Sequence, residues 1–223
     1  MTRISLALLC GAAALGFVPA AQAADLYSNN SSSMPGFVNM GGSGGWDGAY
    51  VGGFAGYGWG TVTDADGGVI NLPGDELDLS GWLIGANLGA NFTVSDGFVV
   101  GAVGDVAWSG INGYDANSDL DYDINWTASL RGRAGFDGGA FMPYLTGGLA
   151  VAGATGEIGG DESSQVHFGW TAGAGVEVAA TDNLSVDLQY RYSDYGQATY
   201  DLAVPTDLSL TTHALTAGVN FKF

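Results

Sequence analysis

Residues 166–180 read Val-His-Phe-Gly-Trp-Thr-Ala-Gly-Ala-Gly-Val-Glu-Val-Ala-Ala. Val166, Phe168, Trp170, Ala172, Ala174, Val176 and Val178 share one parity; His167, Gly169, Thr171, Gly173, Gly175 and Glu177 share the other. A period of two sustained over this length is that of a β-strand with two unlike faces, and no helical spacing fits it. The same split recurs at 122–136, where Tyr122, Ile124, Trp126, Ala128, Leu130, Ala134 and Phe136 oppose Asp123, Asn125, Thr127, Ser129, Arg131 and Arg133. It recurs again at 184–193 and at 215–223. Segments 48–59, 79–92, 98–109 and 140–152 are compatible with it, which brings the expected strands to eight. The first of these leaves its facing open, because Tyr50 and Phe54 fall on one parity and Val51 and Tyr57 on the other. Pro143 cannot donate a ladder hydrogen bond and is expected near a strand end.

The connections alternate in length. Short turns are predicted at Val94-Ser95-Asp96-Gly97, Asp137-Gly138-Gly139 and Thr181-Asp182-Asn183, and long polar loops at 60–78, 110–121, 153–165 and 193–212. Eight strands with that alternation predict an all-β, eight-stranded antiparallel up-and-down transmembrane β-barrel with both termini periplasmic. A soluble barrel with its apolar face inward would show the same alternation. Its outer face would then be rich in Lys and Glu, whereas here the polar face is mostly Gly, Ala, Ser, Thr and Asn. Aromatic residues also gather toward strand ends, at Trp46, Trp59, Trp82, Phe92, Phe98, Trp108, Tyr122, Phe136, Phe141 and Phe223, as membrane interfaces favour.

Composition agrees. The 223 residues include 39 Gly, 47% hydrophobic and 13% charged side chains, with 23 acids against 5 bases. Such an acidic chain repels phosphate backbones, so no nucleic-acid partner is expected. Residues 1–23 read as a cleaved secretory signal peptide: Arg3, an apolar run, then Ala21 and Ala23 as the small-x-small cleavage site. Leu9 before Cys10 argues against a lipoprotein, and no other cysteine exists for disulfides or thiol chemistry. Residues 24–45, rich in Gly, Ser and Asn, read as a flexible periplasmic segment, and 46–223 as the barrel.

The bases left after the signal are Arg131, Arg133, Arg191 and Lys222, and all fall on the lumenal parity with Asp105, Glu177 and Asp187. Buried charges must be paired, so these seven predict a lumenal salt-bridge plug, with Arg131, Arg133, Glu177, Asp187 and Lys222 toward the periplasmic strand ends. A charged selectivity filter would need more open diameter than eight strands leave. Fifteen of the 23 acids fall in or at the edge of the expected loops, among them Asp64, Asp66, Asp75, Glu76, Asp78, Asp121, Asp123 and Glu157. They predict a solvated, repulsive acidic surface; the alternative reading is a cation-binding rim in which divalent ions bridge the carboxylates to lipopolysaccharide. His167 and His213, with Ser109, Ser193 or Ser209, have no spacing that converges on a catalytic arrangement; neither an enzyme nor a cofactor is expected.

The terminal residues Thr216, Gly218, Phe221 and Phe223 resemble the C-terminal assembly signal of outer-membrane proteins. The stretches Trp46–Gly53, Arg131–Phe136, Pro143–Ala150, Gly169–Glu177 and Tyr190–Gly196 resemble the small outer-membrane barrels of alphaproteobacteria, the outer-membrane immunogenic or porin-like proteins. That resemblance implies the bacterial outer membrane as location, outer-membrane lipid and the barrel-assembly machinery as partners, and a role in envelope integrity. A small Gly or polar residue is expected where Phe54 stands. Two other functions fit the same pattern: a porin-like channel, and a receptor or adhesin using loop aromatics such as Tyr114, Tyr195 and Tyr200.

Overall fold

The computed structural model describes residues 45–64, 76–95, 97–115, 120–158, 161–200 and 206–223. The expected cleavage site at Ala21 and Ala23, nearly all of the 24–45 segment, and Asp66, Asp75, Asp119 and Asp201 lie outside these residues. Eight strands follow one another: β1 (Gly48–Asp64), β2 (Glu76–Ser95), β3 (Phe98–Asp115), β4 (Leu120–Phe136), β5 (Phe141–Ile158), β6 (Asp161–Ala179), β7 (Leu184–Tyr200) and β8 (Thr206–Lys222). Each pairs antiparallel with the next, and β8 pairs with β1 to close the barrel, so no strand edge is left open. Both ends of the barrel segment lie at the end of the short turns, called the terminal end below; the opposite end is the distal end.

The outer wall carries an apolar band bounded by aromatic pairs. Phe98 pairs with Phe136 near the terminal end, and Trp108 pairs with Trp126 ten residues further along both strands. At a rise of about 3.3 Å per residue and a tilt near 40°, ten residues climb roughly 25 Å, the height of an outer-membrane apolar band. Between these rings the outward residues are Leu88, Val106, Leu130, Leu145, Leu149 and their like, all exposed. Tryptophan and phenylalanine mark the two edges as an aromatic belt does.

Beyond the Trp ring the wall reverses its polarity. There the inward residues Val62, Leu77, Leu79, Ile111, Ile124, Leu208 and Leu210 form one buried cluster, while Glu76, Asp78, Asp121 and Glu157 face outward and are exposed. This corrects the expectation of long loops: the polar stretches at 110–121, 153–165 and 193–212 are largely continued strands, and the two ends of 60–78 extend β1 and β2, because alternation persists there with the apolar residues turned inward. At the distal end the strands run to Asp64, Asp115, Ile158 and Tyr200 and begin at Glu76, Leu120, Asp161 and Thr206.

Two strands reach the reversal by bulging. In β4 the register slips between Ile124 and Trp126, which are partnered by the adjacent Ala154 and Gly153 of β5. Asn125 is the extra residue, and one extra residue exchanges the faces. Tyr122 and Ile124, expected on the outer face with Trp126, are therefore inside and fully buried. In β7 the register shifts between Asp194 and Gln197 around Gly196, whose φ of 63° is in the left-handed region. Tyr195, expected as a loop contact residue, joins the buried cluster instead. Strands β2 and β8 need no bulge, since their own hydrophobic parity changes, as from Leu210 to Leu215 in β8.

The facing of β1 is settled with Tyr50 and Phe54 inward and Val51, Tyr57 and Trp59 outward. Phe54 fits where a small residue was expected because its partners on both sides, Gly85 and Gly218, have no side chains; a Cβ on Gly85 would lie 2.7 Å from the Phe54 ring. Pro143 stands third in β5, near the strand start as expected.

Deleting Asn125 removes the extra residue and sets Ile124 next to Trp126, so plain alternation puts the two on opposite faces and Tyr122 and Ile124 stay buried. Both this deletion and Asn125→Ala, which keeps the bulge, should cost under about 1 kcal/mol, measured by urea unfolding in lipid vesicles. A deletion costing about 3–6 kcal/mol, the exposure of two large side chains, would show that the bulge itself is needed to keep them inside.

Candidate functional site

The lumen within the apolar band is occupied by one polar network. Parity places Asp105 on β3, Arg131 and Arg133 on β4, Glu177 on β6, and Asp187 and Arg191 on β7, all pointing inward. Asp105 accepts from Arg131 Nη2 at 2.7 Å and Arg191 Nη1 at 2.9 Å, and from the Ser129 hydroxyl. Arg133 Nη2 lies 2.5 Å from Glu177 Oε2 and 3.7 Å from Asp187 Oδ2, and its guanidinium sits 3.7 Å from the centroid of the Tyr144 ring. Glu177 also accepts from the Ser185 hydroxyl and from Asn220 Nδ2.

Gln189 joins the two halves. Its Oε1 accepts from Arg131 at 2.9 Å and its Nε2 donates to Tyr144 Oη at 2.8 Å, while Tyr144 donates in turn to Asp187 at 2.7 Å. Three carboxylates thus face three guanidiniums, and the cluster is electrically neutral. That balance offsets the desolvation that buried ions suffer. Against the network lies a void of about 30 Å³, lined among others by Tyr50, Phe54, Asn87 and Thr216, which is room for a water or two.

Lys222 is not in this network, contrary to the expected pairing of all seven residues. It is the last residue of β8, so its ammonium reaches the terminal mouth rather than the carboxylates: Nζ donates to the Gly45 carbonyl at 2.7 Å and sits 4.6 Å above the Trp46 ring. Trp46 was expected in the outer aromatic ring. It is instead 1% exposed, because the chain turns under the barrel before β1 and packs the indole on Val99 and Met142, with Nε1 donating to Asp137 at 3.1 Å. The next residue, Asp47, accepts from the Thr93 backbone. No period in the sequence marks this cap; its one signal was an isolated Trp ahead of the first strand.

The two histidines lie on opposite faces of the wall. His167 is buried in the lumen and bonds Tyr122 Oη at 3.1 Å, whereas His213 faces outward and bonds Tyr190 Oη through Nδ1 at 2.7 Å. Ser193 Oγ donates to Thr171 inside, and Ser109 Oγ accepts from the Ile111 backbone. The structure therefore does not bring the two histidines and a serine together. Among the described residues, no three or more His, Cys, Asp or Glu side chains converge as a metal site. Of the expected surface aromatics, Tyr114 is exposed, Tyr195 is buried, and the side chain of Tyr200 lies outside the described residues.

Comparison with known proteins agrees with the wall geometry. The outer membrane protein beta-barrel domain matches residues 10–223. This chain belongs to the outer-membrane β-barrel family. The 25 kDa outer-membrane immunogenic protein of Brucella abortus is 35% identical over 224 residues, covering all of both chains. The 22 kDa outer membrane protein of Rhizobium leguminosarum is 30% identical over 161 residues, 72% of this chain and 69% of that protein. The crystal structure of neisserial surface protein A superposes with a TM-score of 0.50 at 21% identity, over 78% of this chain and 97% of that one, and shares the fold. The relatives place the family in the outer membranes of alphaproteobacteria, and the outer membrane is where this barrel resides.

Asp105→Asn leaves Arg131 and Arg191 buried without their shared carboxylate and should cost about 3–5 kcal/mol. Combining Asp105→Asn with Arg131→Met and Arg191→Met removes the unpaired charges and should recover most of that loss in the same urea titration. A triple variant less stable than the single one would mean the ion pairs carry packing that Met does not replace.

Proposed function

We propose that this protein is a sealed structural barrel that contributes to envelope integrity and presents an acidic, strand-built turret at the cell surface. The filled lumen is the observation that carries the reading. Seen along the axis there are three successive obstructions: Trp46 at the terminal mouth, the neutral Asp105–Arg131–Arg191 and Arg133–Glu177–Asp187 network in the band, and the Leu77, Leu79, Leu208 and Leu210 cluster beyond it. Ion conduction needs a continuous wet path, and a void of about 30 Å³ is too small for one.

The proposed orientation puts the terminal end in the periplasm. Short turns and both chain ends then face the periplasm, and the acidic distal wall with Glu76, Asp78, Asp121 and Glu157 faces outward. The acidic face of the turret repels other anionic surfaces and suits the divalent cations that bridge it to lipopolysaccharide. Phe221 and Phe223 at the end of β8, with Thr216 and Gly218, serve the barrel-assembly machinery as the insertion signal, and the first 23 residues serve export.

Single-channel recording in a planar bilayer tests the seal. The unmutated protein should be silent, and Asp105→Ala/Arg131→Ala should also be silent because the apolar cluster still blocks the distal half; steady openings of the unmutated protein would sink the proposal in favour of a porin-like channel. Orientation is read separately in intact cells with a membrane-impermeant maleimide. Tyr114→Cys should be labelled and Asp182→Cys should not be until the outer membrane is permeabilised; the reverse pattern would invert the barrel.

A further inference from the structure

The outer wall has one place where the aromatic ring is not simply apolar. On β1, Trp59 is paired with His213 of β8 on one side and Ser80 of β2 on the other. Its indole stacks on the His213 ring at 5.7 Å and an interplanar angle of 10°, yet stays 40% exposed. Two residues further along, Thr61 and Thr211 bond hydroxyl to hydroxyl at 3.1 Å. Asp78, the partner of Thr61, and Ser80, the partner of Trp59, stand beside them on β2. The result is a groove of about 350 Å³ lined by Trp59, Thr61, Asp78, Ser80, Thr211 and His213. Two other indoles of the ring are set differently: Trp82 lies against Gly110 and Trp126 against Gly153, where a Cβ would meet their Nε1 atoms.

We propose that this groove binds the saccharide headgroup of a membrane glycolipid, the sugar of lipopolysaccharide in the outer leaflet. A pyranose ring has one face of C–H bonds, which settles on an aromatic face, and a rim of hydroxyls, which needs both donors and acceptors. Trp59 supplies the first. The Asp78 carboxylate accepts, and the Thr61, Thr211 and Ser80 hydroxyls both donate and accept. Tyr190 holds His213 through Nδ1 and leaves Nε2 for the ligand. Depth selects the source of the sugar: Trp59 and His213 stand at the level of the distal Trp ring, where the apolar band ends and headgroups begin. Seating in the outer leaflet rests on the orientation proposed above, which the cell-labelling experiment tests by itself.

The binding experiment does not depend on orientation or on the seal. Native mass spectrometry of the refolded, detergent-solubilised protein is titrated with core-truncated lipopolysaccharide, with phosphatidylglycerol, and with the deacylated saccharide. Trp59→Ala and Asp78→Asn should each weaken lipopolysaccharide binding by about tenfold, the loss of one stacked or charged contact, while phosphatidylglycerol binding is unchanged. Trp108→Ala, on another stretch of the same ring, should leave both unchanged, and heat-modifiable migration on gels checks that all variants fold. Equal losses in Trp59→Ala and Trp108→Ala would overturn the site as a general belt effect. Deacylated saccharide binding as tightly as the intact glycolipid would overturn the membrane source in favour of a soluble glycan.

Discussion

Closing eight strands leaves an interior wide enough for side chains and little else, and that limit governs the rest of the molecule. Within the apolar band the outer face is already spent on lipid contact, so the inner face must hold the barrel's own specific interactions. Arg and carboxylate side chains meet that need because they are long enough to cross the lumen and directional enough to fix which strands meet. Asp105 ties β3 to β4 and β7, Glu177 and Arg133 tie β6 to β4, and Gln189 joins the two groups. The network exists because charges are matched three to three; a surplus of either sign would be a buried, unpaired ion.

Much of this was legible from period two alone. The eight strands, the short turns, the all-β class and the inward parity of Asp105, Arg131, Arg133, Glu177, Asp187 and Arg191 all follow from alternation and from turn residues. Partners did not follow. Parity states that a side chain points inward but not how high it stands relative to residues on other strands, since height depends on register and tilt. Lys222 shares the parity of the arginines yet belongs to the mouth, a difference only register reveals. Bulges were equally silent. Asn125 looks like any polar residue in an alternating run, and the apolar positions on either side of it keep the same sequence parity while changing face.

Glycine explains the other departures. Large inward residues such as Phe54 sit opposite glycines, so an aromatic side chain occupies volume that three strands share. Single-strand reading sees an oversized residue where the barrel sees a complementary triple. Trp46 is the extreme case, because it lies outside every strand and is fixed by groups from the β4–β5 turn, β3, β5 and β8. Such a contact needs the closed barrel to exist first, and nothing local announces it.

The reversal of polarity at the distal edge of the band is what lets one chain serve two solvents. Alternation keeps every strand free of long apolar runs, so none reads as a membrane helix on the way to the outer membrane. Above the lipid the same alternating composition must bury its hydrophobes inward, as in a soluble barrel. A single inserted residue achieves this in β4 without altering the sequence rhythm, and Gly196 does so in β7. The wall thus carries lipid-solvated hydrophobes below and a conventional hydrophobic core above, joined at a ring of aromatic residues. Since both interior halves are filled, chemistry that distinguishes this barrel from its neighbours has to act on the outer wall, and the junction between the two regimes is where apolar, aromatic and polar groups stand side by side.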